Sequence, residues 1–107
     1  MKPFRICVIL AIGLMTSAAE AQTYQGVGKG KSSCGTWTAD RRHRQSNLDE
    51  QWILGFLSGI GYKSQSFDPL KGMDVNAVWA WMDNYCQAHT LDSIAMAGAA
   101  FDRAHPR

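Results

Sequence analysis

Histidine, cysteine and the carboxylates are the side chains from which most protein chemistry is built, and in this chain few of them stand together. Its three histidines are scattered: His43 in a run of arginines, His89 near the end of an apolar stretch, His105 in the C-terminal tail. None is spaced with a hydroxyl or thiol and a carboxylate as a nucleophile with its base would be. Asp49-Glu50 is the one adjacent acid pair, and it stands where a helix would begin. Acids are expected there, because the first turn of a helix carries partial positive charge. The string GKGKS ends like a phosphate loop at Gly30-Lys31-Ser32, but that loop needs a glycine where Gln25 stands, and no apolar strand precedes it. Asp68, Asp74 and Asn76 are spaced too sparsely for a calcium loop. The expectation is a non-enzymatic protein with no catalytic residue, no metal cluster and no cofactor.

The cysteines carry more information. Cys7 lies in an uncharged apolar run of ten residues, Ile6 to Met15, behind Lys2 and Arg5 and ahead of Ala19-Glu20-Ala21. The run is about half the length that crosses a membrane, and the small-x-small triplet fits signal peptidase. Residues 1–21 therefore read as a signal peptide. Its removal would leave 86 residues, take Lys2, Arg5 and Glu20 with it, and lower the formal net charge from +2 to +1. A near-neutral balance argues against nucleic acid as a partner and gives no reason to expect a membrane surface. The expected place is periplasmic or secreted, with no stable membrane insertion after processing.

Cys34 and Cys86 would then remain. An even pair in a small exported chain reads as one disulfide. Across 52 positions it would stabilise the fold by roughly 4 kcal/mol in the chain-entropy account. The other reading is a reactive or metal-binding Cys86 with His89 one helical turn on, although two ligands do not close a zinc site.

These residues need elements to hold them. Residues 22–33 (QTYQGVGKGKSS) are rich in Gly and Ser without periodicity and read as a flexible arm; residues 34–105 read as a single helical domain. A first helix opens at Cys34 with Trp37 as its large apolar residue and ends in Arg41, Arg42, His43 and Arg44. That basic run suits a solvated helix C-terminus, or alternatively an acidic patch on a partner. A second helix starts at Asn47 and Glu50, spaced as N-cap and N3. Leu48, Trp52, Phe56 and Ile60 form its stripe, widened by Ile53 and Leu57. Gly55 and Gly59 inside it suggest that another backbone packs closely there, since each costs about 1 kcal/mol of helix propensity.

Turn residues Asp68-Pro69 and Lys71-Gly72 separate this from a third helix capped by Asp74. Its stripe is Val75, Val78, Trp79, Met82 and Cys86; Trp81 and Tyr85 lie on a neighbouring face, as core or as a groove for a bound chain. A fourth helix is expected after Thr90, with Leu91, Ile94, Ala95, Gly98 and Phe101 facing inward and its small residues set against Gly55 and Gly59. Nothing alternates with period two for long enough to be a strand. The fold class is all-α, a small bundle of three or four short helices with one disulfide.

A Cys opening the first helix, the second helix QWILGFLSGIGY, an Asp-containing connection and a Cys-x-x-His closing the third form a pattern over residues 34–101. It resembles the periplasmic acid-stress chaperones HdeA and HdeB, and the periplasmic immunity proteins of the Tai kind that neutralise secreted toxins. The resemblance implies a protein partner, either unfolded clients held in response to acid or a toxin. Acid would act through carboxylates such as Asp49, Glu50, Asp74, Asp83, Asp92 and Asp102. A specific binder would present Trp81 and Tyr85 with Arg41, Arg42 and Arg44.

Overall fold

The computed structural model describes residues 26–64 and 67–105; the expected signal peptide and residues 22–25 of the arm lie outside the described residues. Four α-helices follow one another: α1 (Cys34–Arg42), α2 (Asn47–Lys63), α3 (Val75–Ala88) and α4 (Ile94–Ala104). Among the described residues there is no strand, so the all-α class holds.

Short polar side chains start three of the four helices by satisfying an orphan backbone N–H. Ser33 Oγ accepts from Thr36 N at 3.1 Å in α1, and Asp74 Oδ1 accepts from Ala77 N at 2.8 Å in α3. In α4 the cap is Ser93, accepting from Met96 N at 3.0 Å, and not Thr90. The backbone explains the shift. Thr90 O and Asp92 O accept from Gly35 N and Cys34 N at 3.1 and 2.7 Å, while Ile94 N donates to Ser32 O at 2.8 Å. The residues before α4 are thus committed to the start of α1, and Leu91 is left 95% exposed, off the expected stripe. In α2 the cap position is Ser46, one residue before Asn47; its hydroxyl donates to Glu50 Oε1 at 2.7 Å rather than binding backbone.

The Cys34–Cys86 disulfide joins the first residue of α1 to the last full turn of α3, with Cα atoms 4.7 Å apart and both residues fully buried. Around it lie Trp37, Val78, Trp79, Met82, Ile94, Ala97 and Phe101, with Ile53 and Leu57 from α2. The stripes expected on α3 and α4 are therefore the core, save for Leu91 and for Val75, which is 46% exposed. In α2 the inward row is Asp49, Ile53 and Leu57, at steps of four. The parallel row Leu48, Trp52, Phe56 and Ile60 lies beside it: Leu48 is exposed, and the other three are half-buried. Helix α2 is apolar on most of its circumference, so its neighbours choose the buried row.

The close backbone contact also falls elsewhere. Among the described residues nothing would meet a side chain added at Gly55 or Gly59, whereas a Cβ on Gly98 would stand 2.9 Å from Phe56 Cδ1 and 3.2 Å from Ile53 Cδ1. The small residues of α4 do let it approach α2, but against Ile53 and Phe56 rather than the two α2 glycines. The Gly- and Ser-rich stretch departs from an arm from Gly26 onward. Gly28–Lys31 is a single 3₁₀ turn packed on α2 and α4. Gly30 is buried beneath the Trp52 ring, and Trp52 Nε1 donates to Val27 O at 2.9 Å. Residues 26–33 thus form a strap across the bundle.

Candidate functional site

The basic run at the end of α1 divides by direction. Arg41 turns inward and bridges three helices: Nε donates to Asp83 Oδ1 at 2.9 Å, one terminal nitrogen to Asp83 Oδ2 at 2.8 Å, and the other to Glu50 Oε1 at 2.9 Å. Trp37 Nε1 donates to the same Asp83 Oδ1 at 2.9 Å, and the guanidinium lies 5.9 and 6.0 Å from the Trp37 and Trp79 ring centroids. Asp83, then Glu50, raise the Arg41 pKa, burial working against them. A planar fork that matches one carboxylate and reaches another is a structural tie. Arg41 is therefore committed within the molecule.

Arg42 and Arg44 are exposed. Arg44 has φ of 57°. It terminates α1 in the left-handed conformation, with Gln45 N donating to Asp40 O at 2.8 Å in the manner of a Schellman turn. Glycine is the usual residue there, because a Cβ is strained in that region. Beside these arginines a polar hollow of about 330 Å³ is lined by Thr38, Arg41, Arg42, Asp83 and Gln87.

Trp81 and Tyr85 are half-buried and belong to a ring column between α3 and α4. Trp81 stacks on Tyr85 at 5.2 Å and meets Phe101 edge-on at 5.2 Å. Tyr85 stacks on His89 at 4.0 Å, and Phe101 on His105 at 4.1 Å. Each histidine hydrogen-bonds through Nδ1 to the carbonyl one turn back, Tyr85 O at 2.9 Å and Phe101 O at 2.7 Å, closing the ends of α3 and α4. Tyr85 OH donates to Asp92 Oδ2 at 2.6 Å, and its phenol is pushed up to about 12, by burial first and then by Asp92. His89 is engaged with Tyr85, and Cys86 with Cys34. Among the described residues no group of three or more His, Cys, Asp or Glu could hold a metal.

The apolar hollow lies elsewhere, on α2. Phe56, Gly59, Ile60, Lys63 and Ser64 line an open trough of about 510 Å³. The signal for this face was in the sequence, as a helix apolar on too many sides for one core row.

One charged group is wholly buried. Asp49, on the inward row of α2, has no solvent exposure; its Oδ1 lies 3.2 Å from Lys29 Nζ in the strap, which also binds Asp40 Oδ2 of α1 at 3.2 Å. Lys29 is angled so that neither Asp49 oxygen accepts a well-formed hydrogen bond. Adjacent acids at a helix start gave no hint of this, because the partner lies 20 positions away in a segment without periodicity.

No family model, curated protein or solved structure matches this chain. Among the described residues no helix is long and apolar enough to cross a membrane.

Proposed function

We propose that this is a non-enzymatic periplasmic protein that acts by binding another protein, and that it holds unfolded or partly folded clients on the open face of α2. The trough lined by Phe56, Gly59 and Ile60 carries this reading. It is apolar, shallow and without a fixed set of polar groups, which suits extended apolar segments of varied sequence better than one shaped ligand. The buried disulfide and the apolar run at residues 6–15 support an exported protein. The resemblance to HdeA and HdeB points the same way.

The test is light scattering by an aggregating client, with parent protein and an Ile60→Glu variant, at neutral and mildly acid pH. The parent suppresses aggregation and the charged variant, still helical by circular dichroism, does not. Equal suppression by both would remove the trough from the account.

One observation favours the second reading, an immunity protein for a secreted toxin. Arg44 keeps an arginine where glycine is the unstrained choice, two residues after exposed Arg42, which lines the polar hollow. Strain retained at a surface position is a reason to suspect a binding role. Tight capture of one secreted toxin, abolished by Arg42→Glu with Arg44→Glu, would establish that reading in place of client holding.

A further inference from the structure

Asp49 is the only acidic or basic side chain among the described residues with no exposure to water. Its carboxyl, that of Asp40 and the ammonium of Lys29 come from α2, α1 and the strap respectively. With both carboxylates ionised, one lysine must serve two negative charges, and the inner one has neither solvent exposure nor a well-formed hydrogen bond among the described residues. That is an expensive arrangement for a buried charge. A proton on Asp49 removes the excess charge and supplies a donor to a pair that otherwise only accepts.

The remaining neighbours do not change this balance. His43, at the end of α1, adds positive field at Asp40. Glu50, next on α2, is taken by Arg41 and Ser46. What the trio fastens is the strap: Val27 O receives the Trp52 indole, Gly30 lies beneath that ring, and Gly26 lies against Ala95 of α4.

We propose that Lys29, Asp40 and Asp49 form a proton-operated latch: protonation of Asp49 in mild acid closes residues 26–33 onto α2 and α4, and its ionisation at neutral pH loosens them.

The titration of the three groups agrees in sign. The Asp49 carboxyl is pushed up to about 6, first by burial and then by Asp40. A carboxyl that holds its proton more tightly folded than unfolded makes the fold more stable as pH falls from above 6 toward 4. Asp40 is held below the usual carboxylate range, first by the neighbouring Asp49 carboxyl and then by Lys29, so its contribution is lost only in stronger acid. Lys29 is raised, first by Asp49 and then by Asp40, so its contribution is lost only above the usual lysine range. Mild acid therefore tightens the strap. This is opposite in direction to acid opening, and the latch stands or falls independently of client holding.

The experiment compares the parent with Asp49→Asn, a neutral isostere of the protonated acid, between pH 7.5 and 5. Denaturant unfolding gives the folding constant, and hydrogen exchange, corrected for intrinsic rates, gives protection of the amides of residues 27–32. Relative to the variant, the parent should gain about tenfold in folding constant on going from pH 7.5 to 5, as a shift from 3.8 to about 6 requires. Strap protection should rise with it in the parent alone. The ratio to the variant cancels every group that the two proteins share. Identical pH dependence in the two would overturn the latch. Should the variant fail to fold, carbon-13 titration of the parent's carboxyls decides: Asp49 titrating near 6 supports the latch and near 4 refutes it. Neither measurement uses a client, so loss of holding activity with an intact latch would count against the proposed function alone.

Discussion

Arg41 and Asp83 form a two-pronged pair between α1 and α3, with nitrogen–oxygen distances of 2.9 and 2.8 Å. The pair lies two turns from the disulfide along α1 and one turn from it along α3, at spacings of seven and three residues. Two ties at different heights fix the rotation of α1 on α3 as well as its position.

Replacing Arg41 by Ala should cost about 1.5–3 kcal/mol, the range for hydrogen bonds to charged groups. Arg41→Lys should recover little of it, because an ammonium cannot grip Asp83 with two nitrogens and still reach Glu50. Urea unfolding of the single variants and of Arg41→Ala with Asp83→Ala gives the coupling directly. Additive effects would mean that the pair is incidental.

Both sulfurs are buried, so native protein should resist thiol reagents after brief treatment with reductant and react only when unfolded. Loss of the bridge should lower stability by a few kcal/mol, with roughly 4 kcal/mol expected for a loop of this length. Mass spectrometry of exported material, alkylated under denaturing conditions, should find no free thiol and an N-terminus at Gln22.

The glycines should part company. Gly59→Ala should stabilise by about 0.5–1 kcal/mol through helix propensity, since no described residue stands against it. Gly98→Leu should cost about 1–3 kcal/mol by overpacking against Phe56 and Ile53. Thermal melts of the two variants would show shifts of opposite sign.

Tyr85 should ionise well above the ordinary phenol range. Its phenol is held up at about 12 against an ordinary 10, so the unfolded chain gives up that proton first. Stability from this group is full below pH 10 and is lost as pH rises toward 12. Ultraviolet titration of parent and Tyr85→Phe isolates the step, and the variant should also lose about 1–2 kcal/mol with the bond to Asp92.

Glycine at position 44 should relieve the left-handed strain and stabilise by about 1 kcal/mol. If Arg44→Gly is more stable yet weaker in binding a partner, the arginine is kept for its surface.

The sequence alone determined the helices and the staple. Local rules act within a few residues, so the stripe Val78, Trp79, Met82 and Cys86, the Asp74 cap and the inward faces of Ile94 and Phe101 could be read directly. The even cysteine pair left one intramolecular partner for each. Tertiary packing decided the rest, because those choices depend on what lies opposite. Helix α2 offered two rows at the same four-residue step, and packing against α4 and the strap left the one with Asp49, Ile53 and Leu57 buried. The glycine that mattered was Gly98, because Phe56 and Ile53 reach it across the interface. Arg41 became a tie and Arg42 a surface charge only when α3 brought Asp83 alongside. Lys29 and Asp49 met because the strap crosses the bundle, and an ion pair between distant segments leaves no periodic trace in either of them.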